Sequence, residues 1–182
     1  MKISLIPLAR QLHVGALQHL YRATPGYWEM YNYLQAPAGQ AANDMKAADE
    51  TPGRYLMGVI HPVVPVEPDN ESAHTGDTNS GTLVGLVDFR LDWPEPSTVY
   101  VGMVMIAEAY QRQGLGTEAW QLLQPWLAEG ALMRKARVGV EQFNIKALKF
   151  FEHLGFSLTG ETNRLQVGQR LVRLLYTELE LS

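Results

Sequence analysis

Cysteine is absent from all 182 residues. That excludes disulfides, thiolate metal ligation and a cysteine nucleophile, and it suits a reducing compartment. Long apolar runs are absent as well. No stretch approaches the roughly 20 residues that cross a bilayer, and the apolar start Met1–Ile6 is too short for a secretory leader. The expectation is a soluble, cytoplasmic protein with no membrane partner. Positive charge is not in excess: 15 Lys and Arg stand against 19 Asp and Glu, a net charge of −4. A nucleic-acid surface, which needs a basic face, is not expected. The five histidines, His13, His19, His61, His74 and His153, lack ligand spacing, so no metal is expected.

What is present is ordinary globular composition, with 46% hydrophobic and 19% charged residues. The length fits one domain over 1–182 with a real core. Lys2–Leu8 alternates as a strand, and Ala9–Arg22 carries Leu12, Ala16, Leu17 and Leu20 at helical spacing. Thr24 and Pro25 suit the cap and first position of a second helix. A short helix is read around 41–48, then a strand over 55–60. Residues 62–81 read as a long loop between hairpin strands, and its Asn70-Glu71-Ser72 glycosylation match is taken as chance. Strands follow at 82–91 and 98–106, the latter apolar on both faces and so central. A helix over 116–127 should kink at Pro125, which has no N–H. A strand at 136–141, a helix at 144–154 capped by Asn144 and stopped by Gly155, and a last strand at 169–181 complete the reading.

The chemistry concentrates in Val104-Met105-Ile106-Ala107-Glu108-Ala109-Tyr110-Gln111-Arg112-Gln113-Gly114-Leu115-Gly116-Thr117. A buried strand ends, a turn with two glycines follows and a helix begins. The free N–H groups of a helix start, with its dipole, attract an anion. Spacing alone leaves a plain tight turn equally open, and neither a Rossmann nor a P-loop fingerprint fits.

Gln111-Arg112-Gln113-Gly114-Leu115-Gly116 resembles Gln/Arg-x-x-Gly-x-Gly/Ala, the pyrophosphate motif of the GCN5-related N-acetyltransferase (GNAT) superfamily. Asn144-Ile145-Lys146-Ala147-Leu148-Lys149-Phe150-Phe151-Glu152-His153-Leu154-Gly155-Phe156 resembles that family's Asn-x-x-Ala-x-x-Phe-Tyr-Glu-x-Leu-Gly-Phe. The two lie in family order. The resemblance implies an α/β (α+β) fold: a mixed, mostly antiparallel sheet of six to seven strands flanked by about four helices, splayed between the Val104 strand and the Val138 strand. It implies acetyl transfer from acetyl-CoA to a primary amine of a small molecule or peptide, by direct attack through a tetrahedral intermediate. The alternative is an acyl-CoA-binding sensor without turnover.

By the same resemblance, Val104, Met105 and Ile106 offer main-chain groups to the pantetheine arm. Arg112, Gln113, Gly114, Leu115, Gly116 and Thr117 form the pyrophosphate loop, and Asn144 and Phe151 line the cofactor groove. Many relatives carry a tyrosine acid where Phe151 stands, and the histone-acetylating branch has a glutamate base where Tyr100 stands. Tyr100 and Asp88 are the catalytic candidates. Unbroken alternation gives Tyr100 the face of Gly102, Val104 and Ile106, and Asp88 interrupts an apolar run. Asp92, Glu95 and Glu141 are further carboxylates near central strands. Tyr27, Trp28 and Tyr31 are read as core or as an aromatic wall for the acceptor. A homodimer through the last strands is a further expectation, though no periodicity marks it.

Overall fold

The computed structural model describes residues 3–62, 81–167 and 170–182. The expected hairpin loop and its glycosylation match lie almost wholly outside these residues. The order is β1 (Ser4–Pro7), α1 (Arg10–Arg22), α2 (Pro25–Met30), α3 (Gln40–Glu50), β2 (Arg54–Pro62), β3 (Gly81–Arg90) and β4 (Thr98–Ile106). Then come α4 (Leu115–Pro125), β5 (Lys135–Glu141), α5 (Ile145–His153), β6 (Ser157–Val167) and β7 (Arg170–Glu180). A single 3-10 turn, Glu108–Tyr110, precedes α4, and a π-helical turn, Trp126–Gly130, follows it.

The seven strands form one sheet in the order β1-β2-β3-β4-β5-β7-β6. Every pairing is antiparallel except β4 with β5. Both faces are covered. Leu115, Ala119, Trp120 and Leu123 of α4 and Phe151 of α5 pack on one face with Val87, Phe89, Val99 and Val101. Leu17, Leu20 and Tyr21 of α1, Trp28 of α2 and Met45 of α3 pack on the other with Leu56, Leu86 and Met105. Central β3 is buried from Leu83 to Phe89 for this reason. Burying a large side chain stabilises by about 1.5–3 kcal/mol, so both layers hold the sheet.

Two features differ from expectation. β6 was not foreseen, because its described side chains are exposed apart from half-buried Thr159. No apolar alternation marks it; pairing with β7 alone makes it a strand. At Pro125 the helix widens instead of merely kinking: the Ala131 N–H donates to the Trp126 carbonyl, a five-residue step. Pro125, with no N–H for the Gln121 carbonyl, stands at the junction where the regular turns give way to the wider one. Among the described residues no helix is long and apolar enough to cross a membrane.

Candidate active site

β4 and β5 pair only from Thr98 with Lys135 to Val101 with Val138. Beyond that, Gly102–Ile106 and Gly139–Glu141 diverge, leaving a wedge in mid-sheet. The cause is visible in β4. Its register with β3 passes from Met103 opposite Asp88 to Val101 opposite Phe89, so Gly102 is an inserted bulge residue. A bulge bends its strand and increases local twist, and this one sits where the partnership with β5 ends. The β4 edge facing the wedge therefore carries backbone groups without a strand partner, and an extended ligand can satisfy such groups.

The bulge also corrects one expectation. Val99, Val101, Val104 and Ile106 all face the α4–α5 layer, while Met103 and Met105 face the α1–α3 layer. Alternation with its neighbours puts Tyr100 on the Met103 side, not with Val104 and Ile106, because the extra residue resets the two-residue period. Its ring stands edge-on to Trp93 with centroids 4.6 Å apart. Its hydroxyl covers Gly139, where an added Cβ would come within 2.7 Å of it. Burial and nearby Tyr176 raise its pKa, opposed by the Gly139 backbone and Arg137. At neutral pH it is a protonated phenol. Trp93, Tyr100, Arg137, Glu161 and Tyr176 border a cavity of about 400 Å³ at this end of the wedge.

At the other end the chain turns into α4. The Gln111 Nε2 donates to the Ile106 carbonyl at 2.8 Å, and the Gln113 Nε2 to the Ala109 carbonyl at 3.1 Å, which fixes the turn to the end of β4. Arg112 has φ 60° and Gly114 φ 81°. A non-glycine held at positive φ costs on the order of 1 kcal/mol. Alternating left- and right-handed residues gather successive N–H groups into an anion nest. The first N–H groups of α4, from Leu115 through Thr117, lack helical partners and extend that cradle. The Leu115 side chain points the other way, into the core. Gly116 packs closely: a Cβ there would lie 3.2 Å from the Phe150 ring, which would have to give way. Arg112 and Gln113 are exposed beside the nest.

Asn144 caps α5, its Oδ1 accepting from the Ala147 N–H at 3.1 Å, which leaves its amide NH2 for a second role. Phe151 is 5% exposed, wedged against Phe150 and Phe156 in the core. It has no proton to give.

The α1–α3 layer closes the opposite side of the wedge. The α1–α2 junction is tied to the end of β4. The Glu108 N–H donates to the Ala23 carbonyl at 3.0 Å, the Gly26 N–H to Glu108 Oε1 at 2.8 Å, and the Thr24 hydroxyl lies 3.2 Å from the Met105 sulfur. Trp28 is core, its Nε1 donating to the Tyr21 carbonyl at 2.7 Å. Tyr27 and Tyr31 are half-buried with ring centroids 5.2 Å apart. The Tyr31 hydroxyl donates to Glu141 Oε1, joining α2 to the end of β5. Burial raises the pKa of both: Tyr27 is pushed up to about 12, and Tyr31 rises further, with Tyr27 and Glu141 adding to the effect.

The carboxylates separate by partner. Asp88 is bound at both oxygens by Arg54, at 3.0 Å from Nε and 2.6 Å from Nη2. Asp92 accepts from the Ser97 N–H at 2.8 Å in its turn, and Glu95 pairs with Lys135 at 3.2 Å. Glu141 stands at the wedge with Tyr31. Among the described residues no group of three His, Cys, Asp or Glu is placed to hold a metal ion. Sequence reading did not find Arg54, Glu108 or the Tyr31–Glu141 link, all of which depend on contacts distant in the chain. Gln111 was visible as a motif residue, though its bond to Ile106 was not.

A splayed mixed sheet with an anion cradle at the mouth of its wedge defines a class of acyl-transfer fold. Residues 26–156 match the model of the acetyltransferase (GNAT) family. The chain belongs to that family and is an N-acetyltransferase by its membership. No curated protein sequence matches it significantly. Its fold is similar to the acetyltransferase from Thermus thermophilus, with TM-score 0.72, 19% identity, and 100% of this chain and 98% of that one covered. A probable GNAT-family acetyltransferase from Chromobacterium violaceum gives TM-score 0.76 at 20% identity, covering 99% and 83%. The spermidine N-acetyltransferase from Vibrio cholerae, solved with CoA and spermine, gives TM-score 0.68 at 15% identity, covering 99% and 96%.

Proposed function

We propose that this chain transfers the acetyl group of acetyl-CoA directly to a primary amine that reaches the wedge from the α1–α3 side. The observation that carries this reading is the continuity of two backbone surfaces. The unpaired β4 edge from Gly102 to Ile106 runs into the nest formed by Arg112 and Gly114. One accepts an extended amide chain, the other a pyrophosphate, and acetyl-CoA combines both. Bound there, acetyl-CoA supplies an activated thioester.

In this reading Val104, Met105 and Ile106 hold the pantetheine arm through main-chain groups. Arg112, Gln113 and the N–H groups of Gly114 through Thr117 hold the pyrophosphate. The Asn144 amide faces the arm, and Phe151 supplies apolar backing. A β4 backbone N–H, fixed in advance, meets the negative charge that develops on the carbonyl oxygen. The Tyr100 phenol serves as a hydrogen-bonding group near the wedge's apex. Tyr27 and Tyr31 wall the acceptor side, with Trp28 holding them from behind. Asp88 acts through Arg54 as scaffold. Phe151 leaves the departing thiolate to be protonated by solvent.

The test is release of CoA thiol with n-hexylamine, tyramine, spermidine and a peptide with a free N-terminus. Release well above acetyl-CoA hydrolysis with at least one amine supports transfer. Acetyl-CoA binding with hydrolysis-level release for all of them supports the sensor reading instead.

A further inference from the structure

We propose that Glu141, aligned by Tyr31, takes the proton from the acceptor's ammonium group, which makes the acceptor an amine that arrives charged. This rests on the acetyl-transfer reading and names the base it lacks. A primary amine with a pKa near that of lysine is only about 0.04% neutral at pH 7, so an acceptor bound as ammonium needs a proton acceptor beside the wedge.

Among the carboxylates near the central strands that the sequence singled out, partners set Glu141 apart. Asp88 is closed by Arg54, Asp92 is used by its own turn, and Glu95 is drawn to Lys135. The two family positions for acid and base hold Phe151 and Tyr100, and burial keeps the Tyr100 phenol protonated. Glu141 is different. It ends β5 beyond Val138, the last residue paired with β4, so it stands on the open part of the wedge. Side chains along β5 alternate, with Ala136, Val138 and Val140 in the α4–α5 core and Glu141 on the acceptor side. Its half-buried carboxylate accepts from Tyr31, and no lysine or arginine pairs with it among the described residues. The cations on the same strand are taken: Arg137 by Glu178 and Glu161, and Lys135 by Glu95 and Glu178. Facing Glu141 are Tyr31 and Tyr27 from α2, and Tyr100 from β4, all protonated phenols at neutral pH. A carboxylate surrounded by phenols, at the break in the sheet, has its charge free for an incoming cation.

The step balances. The ammonium gives one proton to Glu141. The freed nitrogen lone pair forms the C–N bond, the C–S bond breaks, and its electron pair leaves with sulfur. The second nitrogen proton passes through water to the thiolate, and Glu141 returns its proton to solvent. Tyr31 is a positioning residue: its hydroxyl bond fixes the carboxylate at the wedge.

The test compares wild type, Glu141→Gln and Tyr31→Phe. The readouts are isothermal titration with acetyl-CoA, thermal melts of the CoA complex with and without 10 mM spermidine or tyramine, and kcat/KM against pH from 6 to 10. Glutamine keeps an acceptor for Tyr31, so it preserves the strut and removes only the base. Expected are unchanged acetyl-CoA affinity, loss of the amine-induced stabilisation, and a fall in kcat/KM of about 100-fold at pH 7. In Glu141→Gln, log kcat/KM should rise with unit slope as free amine becomes available, closing the gap near pH 9. Tyr31→Phe should lower kcat while leaving KM for acetyl-CoA unchanged, a split that general loss of packing would not give. The proposal is overturned if Glu141→Gln stays within threefold of wild type, or if neither amine stabilises the wild-type CoA complex or is acetylated. Failure of wild type itself to bind acetyl-CoA would overturn the acetyl-transfer reading instead.

Discussion

Replacing Asp88 with alanine separates scaffold from catalysis. Asp88 is 9% exposed and lies in the α1–α3 layer, where Arg54 grips both its oxygens. The Arg54 guanidinium is held above its usual pKa chiefly by those hydrogen bonds. Breaking a buried pair from one side costs about 3–5 kcal/mol, because the surviving charge stays desolvated. Here the side chains retain 24% and 12% of their exposure, so water reaches Arg54 in part and the cost should be about 2–3 kcal/mol. For a chain of this length that is a fall in Tm of roughly 5–10 °C. The double replacement Arg54→Met with Asp88→Leu removes both charges at similar volume and should recover most of the loss. Thermal melts followed by circular dichroism, with turnover measured well below Tm, give both readouts. An unchanged Tm with turnover reduced a hundredfold would refute the reasoning and return Asp88 to the chemistry.

Tyr21, Tyr27 and Tyr31 all have pKa values raised mainly by burial, with Tyr27 at about 12. Folded protein then holds protons that the unfolded chain gives up above about pH 10, so stability is intact below pH 10 and falls as pH rises beyond it. Tyr27 alone accounts for about 2 kcal/mol by pH 12. Absorbance at 295 nm should show three of the eight tyrosines titrating only with unfolding, and early titration of all eight would contradict this. Gly116→Ala sets a Cβ 3.2 Å from the Phe150 ring. It should cost about 1 kcal/mol and weaken acetyl-CoA binding by titration calorimetry, with Phe150→Leu restoring both. Asn144→Ala should cost about 1 kcal/mol through loss of the cap. Asn144→Asp should keep that stability while losing cofactor affinity, and equal affinity for wild type and Asn144→Asp would confine the residue to capping.

Much of the fold was legible where local chemistry and tertiary packing agree. β4 was read with its observed ends, 98–106, because its unbroken apolar run packs toward helices on both faces. α5 was read to within a residue at each end because Asn144 caps it and Gly155, at φ 93°, stops it. β6 was not legible, since its exposed side chains leave no pattern. The bulge at Gly102 was not legible either. Nothing local distinguishes a bulge glycine from a small residue in register, and counting straight through it turned Tyr100 onto the wrong face. The cofactor loop stood out because its residues are contiguous. The acceptor side did not, because Arg54 meets Asp88 across 34 positions and Tyr31 meets Glu141 across 110. Such pairs are products of topology.

The central claim is that the nest at Arg112 and Gly114 holds the pyrophosphate of acetyl-CoA. Isothermal titration of acetyl-CoA, CoA and pantetheine into wild type and Gly114→Glu tests it most directly. Gly114 has open space around it and a left-handed backbone, so glutamate there brings strain and a negative charge to the cradle. The account predicts one-to-one binding of acetyl-CoA and CoA by wild type, much weaker binding of the fragment without pyrophosphate, and loss of CoA binding in folded Gly114→Glu. Equal binding of all three ligands, or no heat from wild type at millimolar acetyl-CoA, would contradict it.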